Sequence, residues 1–589
     1  MPSDNPQDYH YNYNAYGQIV SKGIPDQQGY EYTVYDSRQR PVLFQTPLMA
    51  AQQKWQFTLY DNLNRVVVQG YIYDRANQTY STWQSWLNTP GSGPANSYPL
   101  LNYLTGYTPI TSIPAIANCE IDVVNYYDQL PAGNSAFAGA AFSTAFASDY
   151  QQSGITPVAN GVTKGLLVAS QVLVRDSNLT RTENKWITST YFYDQQGQLI
   201  QTQTLNPWNL TNKDVITSQY NFAHQKVLDV MQYNDHRASN KPATKMVKVY
   251  AHDDNNGSRL TTTNVSFDNT GLHTVNAFTY DDLGRVRTKT MGGTEQQTYD
   301  YNIRGQLAAI NGDYALNAND PNGNITFGCT LNYDEGFTIP RLDGKISGMI
   351  WRGAGSGTPE RAYGYQYDYA GRLVAGNYNE IDYVTGGGYT AWGNTIGDYS
   401  MTNVTYDQNG NIKTMTQMGI PLGGTPMPID QLTYTYNNNQ LSSVRDLTSA
   451  NLGLGDFTNG HGCGTCNYQY DVDGNLTVDP NKQITGIAYN EQDQPVLVNF
   501  AYGSIKNVYD GSGTLVRKII NYNISGIVQD YRYWGPFVRS LKIPKYIHFV
   551  AALLGLLCLS FASCHLQCLS AQHHSGQPAG SCSHQTPCT

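Results

Sequence analysis

Charge is scarce in this chain of 589 residues: Asp, Glu, Lys and Arg together make up 14% of it, against roughly a quarter in ordinary domains. The 36 Lys and Arg fall short of the 45 Asp and Glu, leaving a formal net charge of −9. No basic cluster of useful size is present, which argues against a nucleic-acid partner held by electrostatics. Cysteine is equally thin. Residues 1–538 hold Cys119, Cys329, Cys463 and Cys466, and so few exclude a disulfide framework as the source of stability. The opening Met1-Pro2-Ser3-Asp4-Asn5 has no apolar stretch, so no signal peptide is visible. There is no strained Ser elbow with His and Asp partners, no phosphate-binding loop and no His-Glu-x-x-His. The expectation is a non-enzyme without a cofactor.

Tyrosine is what the chain has in excess, 47 residues against 16 Phe. Much of it falls in a recurring string. Tyr280-Asp281-Asp282-Leu283-Gly284-Arg285-Val286 returns as Tyr367-Asp368-Tyr369-Ala370-Gly371-Arg372-Leu373 and as Tyr193-Asp194-Gln195-Gln196-Gly197-Gln198-Leu199. It returns again at Tyr406-Asp407 with Gly410, at Tyr470-Asp471 with Gly474, and at Tyr509-Asp510 with Gly513. Degenerate copies stand at Tyr35-Asp36, Tyr60-Asp61, Tyr301-Asn302, Tyr436-Asn437 and Tyr489-Asn490. A unit repeated along a chain signals one supersecondary element stacked on copies of itself.

The chemistry of the unit predicts what it builds. In Tyr-x-Tyr, side chains alternate, so both rings lie on one face of a strand. Asp at the first turn position accepts backbone N–H groups, and Gly at the fourth takes the positive φ that closes the loop. The aliphatic residue two places on starts the return strand. Each copy is therefore a β-hairpin. One hairpin cannot bury its own face, so neighbours pair into a continuous sheet that curls to limit its edges.

With these strings in register, the chain resembles the RHS/YD-repeat family. Tyr191 to about Gly535 follows the layout of RHS proteins of Bacteroidetes-like bacteria. The matches include Tyr301-Asn302-Ile303-Arg304-Gly305, Gly364-Tyr365-Gln366-Tyr367-Asp368, Thr433-Tyr434-Thr435-Tyr436-Asn437 and Asp479-Pro480-Asn481-Lys482. Trp55-Gln56-Phe57-Thr58-Leu59-Tyr60-Asp61 resembles an earlier part of the same proteins. The resemblance implies an all-β fold, a long sheet spiralling into a hollow shell that in many members encloses a variable C-terminal toxin. It also implies a larger N-terminal region and a core continuing past Tyr533-Trp534-Gly535-Pro536-Phe537-Val538.

The organisation expected is five-part: N-terminal repeats at 1–75, an irregular insertion at 76–185 where YD punctuation almost vanishes, the main repeat body at 186–538, an apolar segment at 539–564 and a Cys/His-rich tail at 565–589. Within the insertion, Ala136 to Phe142 reads as a short helix or a buried loop. The run 546–563 follows Arg539, Lys542 and Lys545 and is just long enough for a helix that spans a bilayer. It equally resembles a lipoprotein signal, ending Phe561-Ala562-Ser563-Cys564, whose position implies a junction with a neighbouring reading frame or a truncated RHS gene.

Other candidates read more plainly. Asp320-Pro321-Asn322-Gly323 resembles the Asp-Pro-x-Gly signature near the self-cleavage site of some RHS shells, but Asn324 follows it and it lies mid-chain, so it reads as a turn. Cys463-Gly464-Thr465-Cys466 has metal or redox spacing but no second pair for zinc and no βαβ context for redox. The tail's Cys564, His565, Cys568, His573, His574, Cys582, His584 and Cys588 could gather a metal, as could an unstructured tail by chance. No metal site is expected. The Tyr stripes suit cross-strand packing more than glycan stacking. The function expected is thus a structural shell of a secreted or surface-exposed toxin-delivery system, its C-terminal effector absent from this chain. Its expected partners are an enclosed effector or an immunity or secretion protein, and a membrane through 546–563. The alternative is a surface adhesin that holds glycan on exposed aromatics.

Overall fold

The structure, a computed structural model, describes residues 8–73, 79–88, 119–176, 186–206, 209–234, 243–253, 258–320, 323–354, 358–384, 388–394, 397–421, 424–448, 457, 459, 467–522 and 528–532. Met1–Asp530 forms one compact unit, to which nearly all of these residues belong.

The fold is all-β, and its connectivity is the simplest a sheet can have. Among the described residues, 27 strands make one sheet. Each strand pairs antiparallel with the next in sequence, from His10–Tyr13 onward to Gln440–Asp446. One branch interrupts the order: Leu373–Val384 pairs with both Gly388–Gly393 and Met401–Tyr406. A two-stranded sheet, Gln469–Tyr470 with Leu476–Val478, and a five-stranded one from Ile484–Tyr489 to Val528–Arg532 continue the pattern.

Every YD turn carries the same irregularity. Thr279 pairs with Thr288 but Tyr280 with Val286, a slip of one residue. The slip recurs where Tyr193 meets Leu199, Tyr367 meets Leu373, Tyr406 meets Ile412, Tyr470 meets Leu476 and Tyr509 meets Leu515. A bulge of this kind bends and twists the strand that carries it. Repeated at every second connection, it supplies a sheet with steady curvature.

The stretch 76–185, expected to be an irregular insertion, carries two strands of the sheet. Cys119–Tyr127 pairs with Val66–Tyr73 on one side and with Leu167–Leu173 on the other, and the latter pairs with Trp186–Tyr193. Tyr127-Asp128 is itself a YD junction whose turn has grown to span 128–166. Its strand alternates buried and half-buried positions as a one-faced strand must. The Ala136–Phe142 segment is no α-helix: Ser135–Phe137 makes a 3₁₀ turn that buries Phe137 against the Tyr126 ring, 5.3 Å between centroids.

The enlarged turn and a helix, Tyr80–Asn88, cover one face of the early strands. Trp83 and Leu87 from the helix and Phe137 from the turn close over Val34, Trp55, Phe57, Val68 and Val124. Phe146 packs on Val227, Leu228, Val230 and Val247. Buried glutamines tie the enlarged turn to the sheet as if they were backbone. The Gln201 amide accepts from the Ser143 N–H and donates to its carbonyl, both at 2.9 Å. Gln219 does the same with Gln151, at 2.8 and 2.9 Å.

The expected C-terminal apolar helix, the run 546–563, the Cys/His-rich tail and Cys463 with Cys466 all lie outside the described residues. Among the described residues no helix is long and apolar enough to cross a membrane.

Candidate functional site

The repeat-defining residues form the turns between paired strands, four of them in the 27-stranded sheet and one in each of the two smaller sheets. In each, the aspartate works as a clasp. Asp281 Oδ1 accepts the N–H groups of Leu283 and Arg285 at 3.0 and 2.9 Å, and its Oδ2 accepts Arg285 Nε at 2.7 Å. Asp194 holds the N–H groups of Gln196 and Gln198, Asp407 those of Asn409 and Asn411, and Asp471 those of Asp473 and Asn475. Asp368 takes Arg372 N and Nε at 2.9 and 2.7 Å, and Asp510 takes the N–H groups of Ser512 and Thr514. Gly197, Gly284, Gly371, Gly410, Gly474 and Gly513 all have φ between +77° and +91°.

These bonds favour the charged carboxylate. Asp368 sits below the ordinary carboxylate range, chiefly through the Arg372 N–H, and Asp407 does so chiefly through the Asn411 side chain. At Asp281, loss of water pushes upward but the donors of Arg285 outweigh it.

The tyrosine that opens each turn has a further role. Its hydroxyl donates to a carbonyl at the start, or within two residues of the start, of the return strand of the preceding hairpin. Tyr193 reaches Leu167 at 2.8 Å, Tyr280 reaches Leu260 at 2.7 Å, Tyr367 reaches Ile346 at 2.8 Å and Tyr470 reaches Leu441 at 2.8 Å. Tyr406 reaches Leu373, and Tyr509 reaches Pro495 at a longer 3.4 Å. Where the residue after the glycine is Arg, its guanidinium lies over the tyrosine ring of the next hairpin: Arg285 over Tyr301 and Arg372 over Tyr406, each at 4.5 Å. One motif thus contains both halves of a bond between neighbours. The signal was in the sequence, as the constant spacing of Tyr and the aliphatic residue, but the spacing alone does not say that they meet across repeats.

The turns also meet the start of the chain. Four consecutive late turns sit on the opposite edge of the first hairpins. Asp26 accepts Asn439 N at 3.3 Å, and Gln28 N donates to the Val472 carbonyl at 2.8 Å. The Asp473 carboxylate takes the Thr46 hydroxyl at 2.7 Å and Leu48 N at 2.8 Å. Lys54 pairs with Glu491, and Arg517 with Asp176. At the centre, Arg175 holds Asp122 through two contacts of 2.8 Å and Glu491 at 3.2 Å. Burial pushes the Asp122 carboxyl up to about 7 while Arg175 pulls it down. Glu491 lies below the usual range: burial raises it, and Lys54 with Arg175 more than offset that. Backbone contacts seal the junction, Gly511 N to Leu173 O at 2.7 Å and Arg175 N to Tyr509 O at 3.2 Å. Gly511 has to be glycine for space, since a Cβ there would lie 2.6 Å from the Cβ and the carbonyl oxygen of Asp122. None of the pairs that join the late turns to the early strands was legible in the sequence, because those partners stand more than 300 residues apart.

Of the remaining candidates, the Asp320 segment lies within the described residues and is a turn. Asp320 accepts Asn324 N at 3.1 Å and Ile325 N at 3.0 Å, the geometry of a turn. No group of three or more His, Cys, Asp or Glu among the described residues is placed to hold a metal ion. The aromatic stripe around Trp351 packs on itself, Trp351 stacking on Tyr363 at 5.3 Å and Tyr363 on Tyr365 at 6.2 Å, each pair within 16° of parallel, whereas Tyr9, Tyr11 and Tyr13 are exposed.

No protein-family model and no curated protein matches the chain. Solved structures do. A crystal structure of TcdB2-TccC3-Cdc42 matches with a TM-score of 0.54 at 13% identity. TcdB2-TccC3 without its hypervariable C-terminal region matches at 0.53 and 12%, and the Tc holotoxin pore of Photorhabdus luminescens at 0.52 and 12%. Each match covers 89% of this chain but 21% of the other, so the chain spans about a fifth of the length of the structures it resembles. The likeness is one of fold, that of the RHS-type toxin shell.

Proposed function

We propose that this chain is wall rather than machinery: a coil of a secreted, toxin-associated RHS-type shell that encloses an effector carried on another segment or chain. The observation that carries the reading is the seam. A strip of hairpins whose late turns dock on its first strands is a coil that closes on itself, and closure is what a container needs and a flat adhesin does not. The reading gives the chain no chemistry of its own. Its work is to keep a second polypeptide apart from solvent and proteases until delivery. The self-packed ladder of Trp351, Tyr363 and Tyr365 supports this over glycan binding there, because ring faces stacked on each other are not free for a sugar.

The test is to fuse a small reporter domain after Thr589 and treat the purified fusion with protease. In the native sequence the reporter should resist cleavage. Arg175→Ala leaves Asp122 and Glu491 without their shared cation, a change that costs about 3–5 kcal/mol at a buried pair. It should open the seam and expose the reporter. A reporter cut equally fast in both proteins would end the enclosure reading.

A further inference from the structure

The contacts that close the seam are not balanced in charge: three carboxylates meet two cations at its centre. Arg175 holds Asp122 at 2.8 Å, Glu491 at 3.2 Å and Glu120 at 3.8 Å. Lys54 is the second cation and pairs with Glu491. The Asp122 side chain is 3% exposed and that of Glu491 8%, so water does little to screen the surplus. Among the described residues, the other groups around the cluster are engaged elsewhere or neutral. On Val66–Tyr73, the buried Tyr71 hydroxyl has no hydrogen-bond partner and the Tyr73 hydroxyl donates to Glu120 at 3.0 Å. Arg517 pairs with Asp176. Asp493 accepts Asn475 Nδ2 at 2.7 Å, and Asp510 keeps its carboxylate on the N–H groups of Ser512 and Thr514. A buried carboxylate in excess of its cations is more stable as the neutral acid.

The surplus belongs to the closed coil. Glu120 and Asp122 lie on Cys119–Tyr127, and Arg175 lies just past its neighbour Leu167–Leu173, so these three stay together when the seam is open. Glu491 arrives only with the late turn. Its arrival divides one guanidinium between two buried carboxylates, while the backbone of Gly511 covers Asp122. We propose that closing the seam takes up a proton on the Asp122 carboxyl, so that the joint tightens in mild acid and loosens towards neutral pH. The sign follows from the two carboxyls. Burial raises Asp122 to about 7 against the pull of Arg175, where an open, hydrated aspartate stands at about 4. Its contribution to closure is full below about 4 and is lost as pH rises to about 7. Glu491 is lowered, since Lys54 and Arg175 more than offset its burial. Its contribution is present above the ordinary carboxylate value and is lost as pH falls through the folded one. The seam is therefore tightest near about pH 5. The coupling belongs to the joint itself and stands whether or not the coil encloses a passenger.

Hydrogen exchange of the purified full chain from about pH 5 to about pH 8, corrected for the intrinsic rate at each pH, reads the opening of the seam. Gly511 and Arg175 donate their amides across it, to Leu173 and Tyr509. The hairpin of His273–Tyr280 with Val286–Met291 serves as the reference within the same molecule. Protection of the seam amides relative to that hairpin should fall at least about tenfold between about pH 5 and about pH 7, and about twofold or less from there to about pH 8. Asp122→Asn leaves two carboxylates to two cations and has nothing to titrate, so its seam protection should stay level across the range. Glu120→Gln removes the surplus but keeps the titrating group, so the fall should be smaller and complete at lower pH. A native chain whose seam protection is level between about pH 5 and about pH 7 overturns the proposal. So does a fall that persists in full in Asp122→Asn. Should circular dichroism show that this variant has lost the β-sheet, Glu120→Gln decides, and an undiminished fall there overturns the proposal as well.

Discussion

The sheet between Val34 and Val247 and the sheet between His273 and Asp446 are made of the same hairpin, yet different forces hold them. The first has a covered face. Trp55, Phe57, Leu59, Val68 and Val124 are buried under the Tyr80–Asn88 helix and the enlarged turn, and burying side chains of this size is worth about 1.5–3 kcal/mol each. In the second, most positions on both faces are only half buried; of the buried ones Ala309, Ala362, Ala375 and Val404 are small, and Tyr314, Tyr378, Ile429 and Leu432 are the larger exceptions. Its faces are joined by polar and aromatic cross-strand pairs instead: Thr279 with Thr288 at 2.7 Å, Thr405 with Thr414 at 2.6 Å, Thr435 with Ser443 at 2.6 Å, and Trp351 on Tyr363. Such pairs contribute roughly 0.2–1 kcal/mol apiece. The lesson is that one repeat can build either a conventional core or a thin wall, depending on what the insertions lay over it. The thin wall must then draw on links between repeats.

That contrast can be broken most sharply at its aromatic residues. Trp55→Ala should cost about 3–5 kcal/mol, the range for emptying a packed aromatic site. Trp351→Ala should cost less, about 1.5–3 kcal/mol, since the ring packs on Tyr363 and Tyr378 but is not fully buried. Urea denaturation followed by hydrogen exchange would read both, with loss of protection spreading through residues 31–73 and 119–173 in the first case and staying near 348–378 in the second. Equal losses would mean that the wall has a core of its own. A smaller effect separates the links between repeats from the faces. Tyr406→Phe removes the hydroxyl that binds the Leu373 carbonyl and should cost about 0.5–1.5 kcal/mol. Amides of the hairpin at 401–419 should lose protection while the Trp55 core keeps its own. The smallest effect is a matter of pH. Asp368 and Asp407 have carboxyls lowered by their turn donors, so the stability they confer is present above the unfolded carboxylate pKa, about 4, and is lost as pH falls through the folded value. The equivalent turns opened by Asn302 and Asn490 make the same backbone contacts with no titrating group. Asp368→Asn should therefore flatten the acid limb of hairpin 361–379 in a pH series of melting curves. An unchanged limb would remove the clasp from the account.

How far these features could be read in advance follows from their range along the chain. The turns were legible because Asp281 and Gly284 act on atoms within four residues, where sequence and geometry are nearly the same thing. The hairpins and their sequential pairing followed from that. The strands at Cys119–Tyr127 and Leu167–Leu173 were missed because a turn grown to span 128–166 conceals the spacing that marks a repeat, although Tyr127-Asp128 still bears the sign. The seam was beyond reach for a different reason. Arg175, Asp122 and Glu491 show no local pattern, and only the accumulated curvature of some two dozen strands brings Glu491 to Lys54. The aromatic and threonine pairs of the thin wall stand in between: their alternation shows on each strand, but their partners depend on the one-residue slip at every turn.

The tyrosine hydroxyl has a consequence for how such a chain comes into being. Each turn-opening Tyr reaches back to a carbonyl already laid down in the hairpin before it. A chain emerging from the ribosome therefore finds, at every step, a finished template for the hairpin just made, and it can zip up in the order of its synthesis. The closing contacts at Arg175 wait for Glu491 and Gly511, which arrive more than three hundred residues later. Until then the growing strip stands open, and its seam is the last part of the molecule to form.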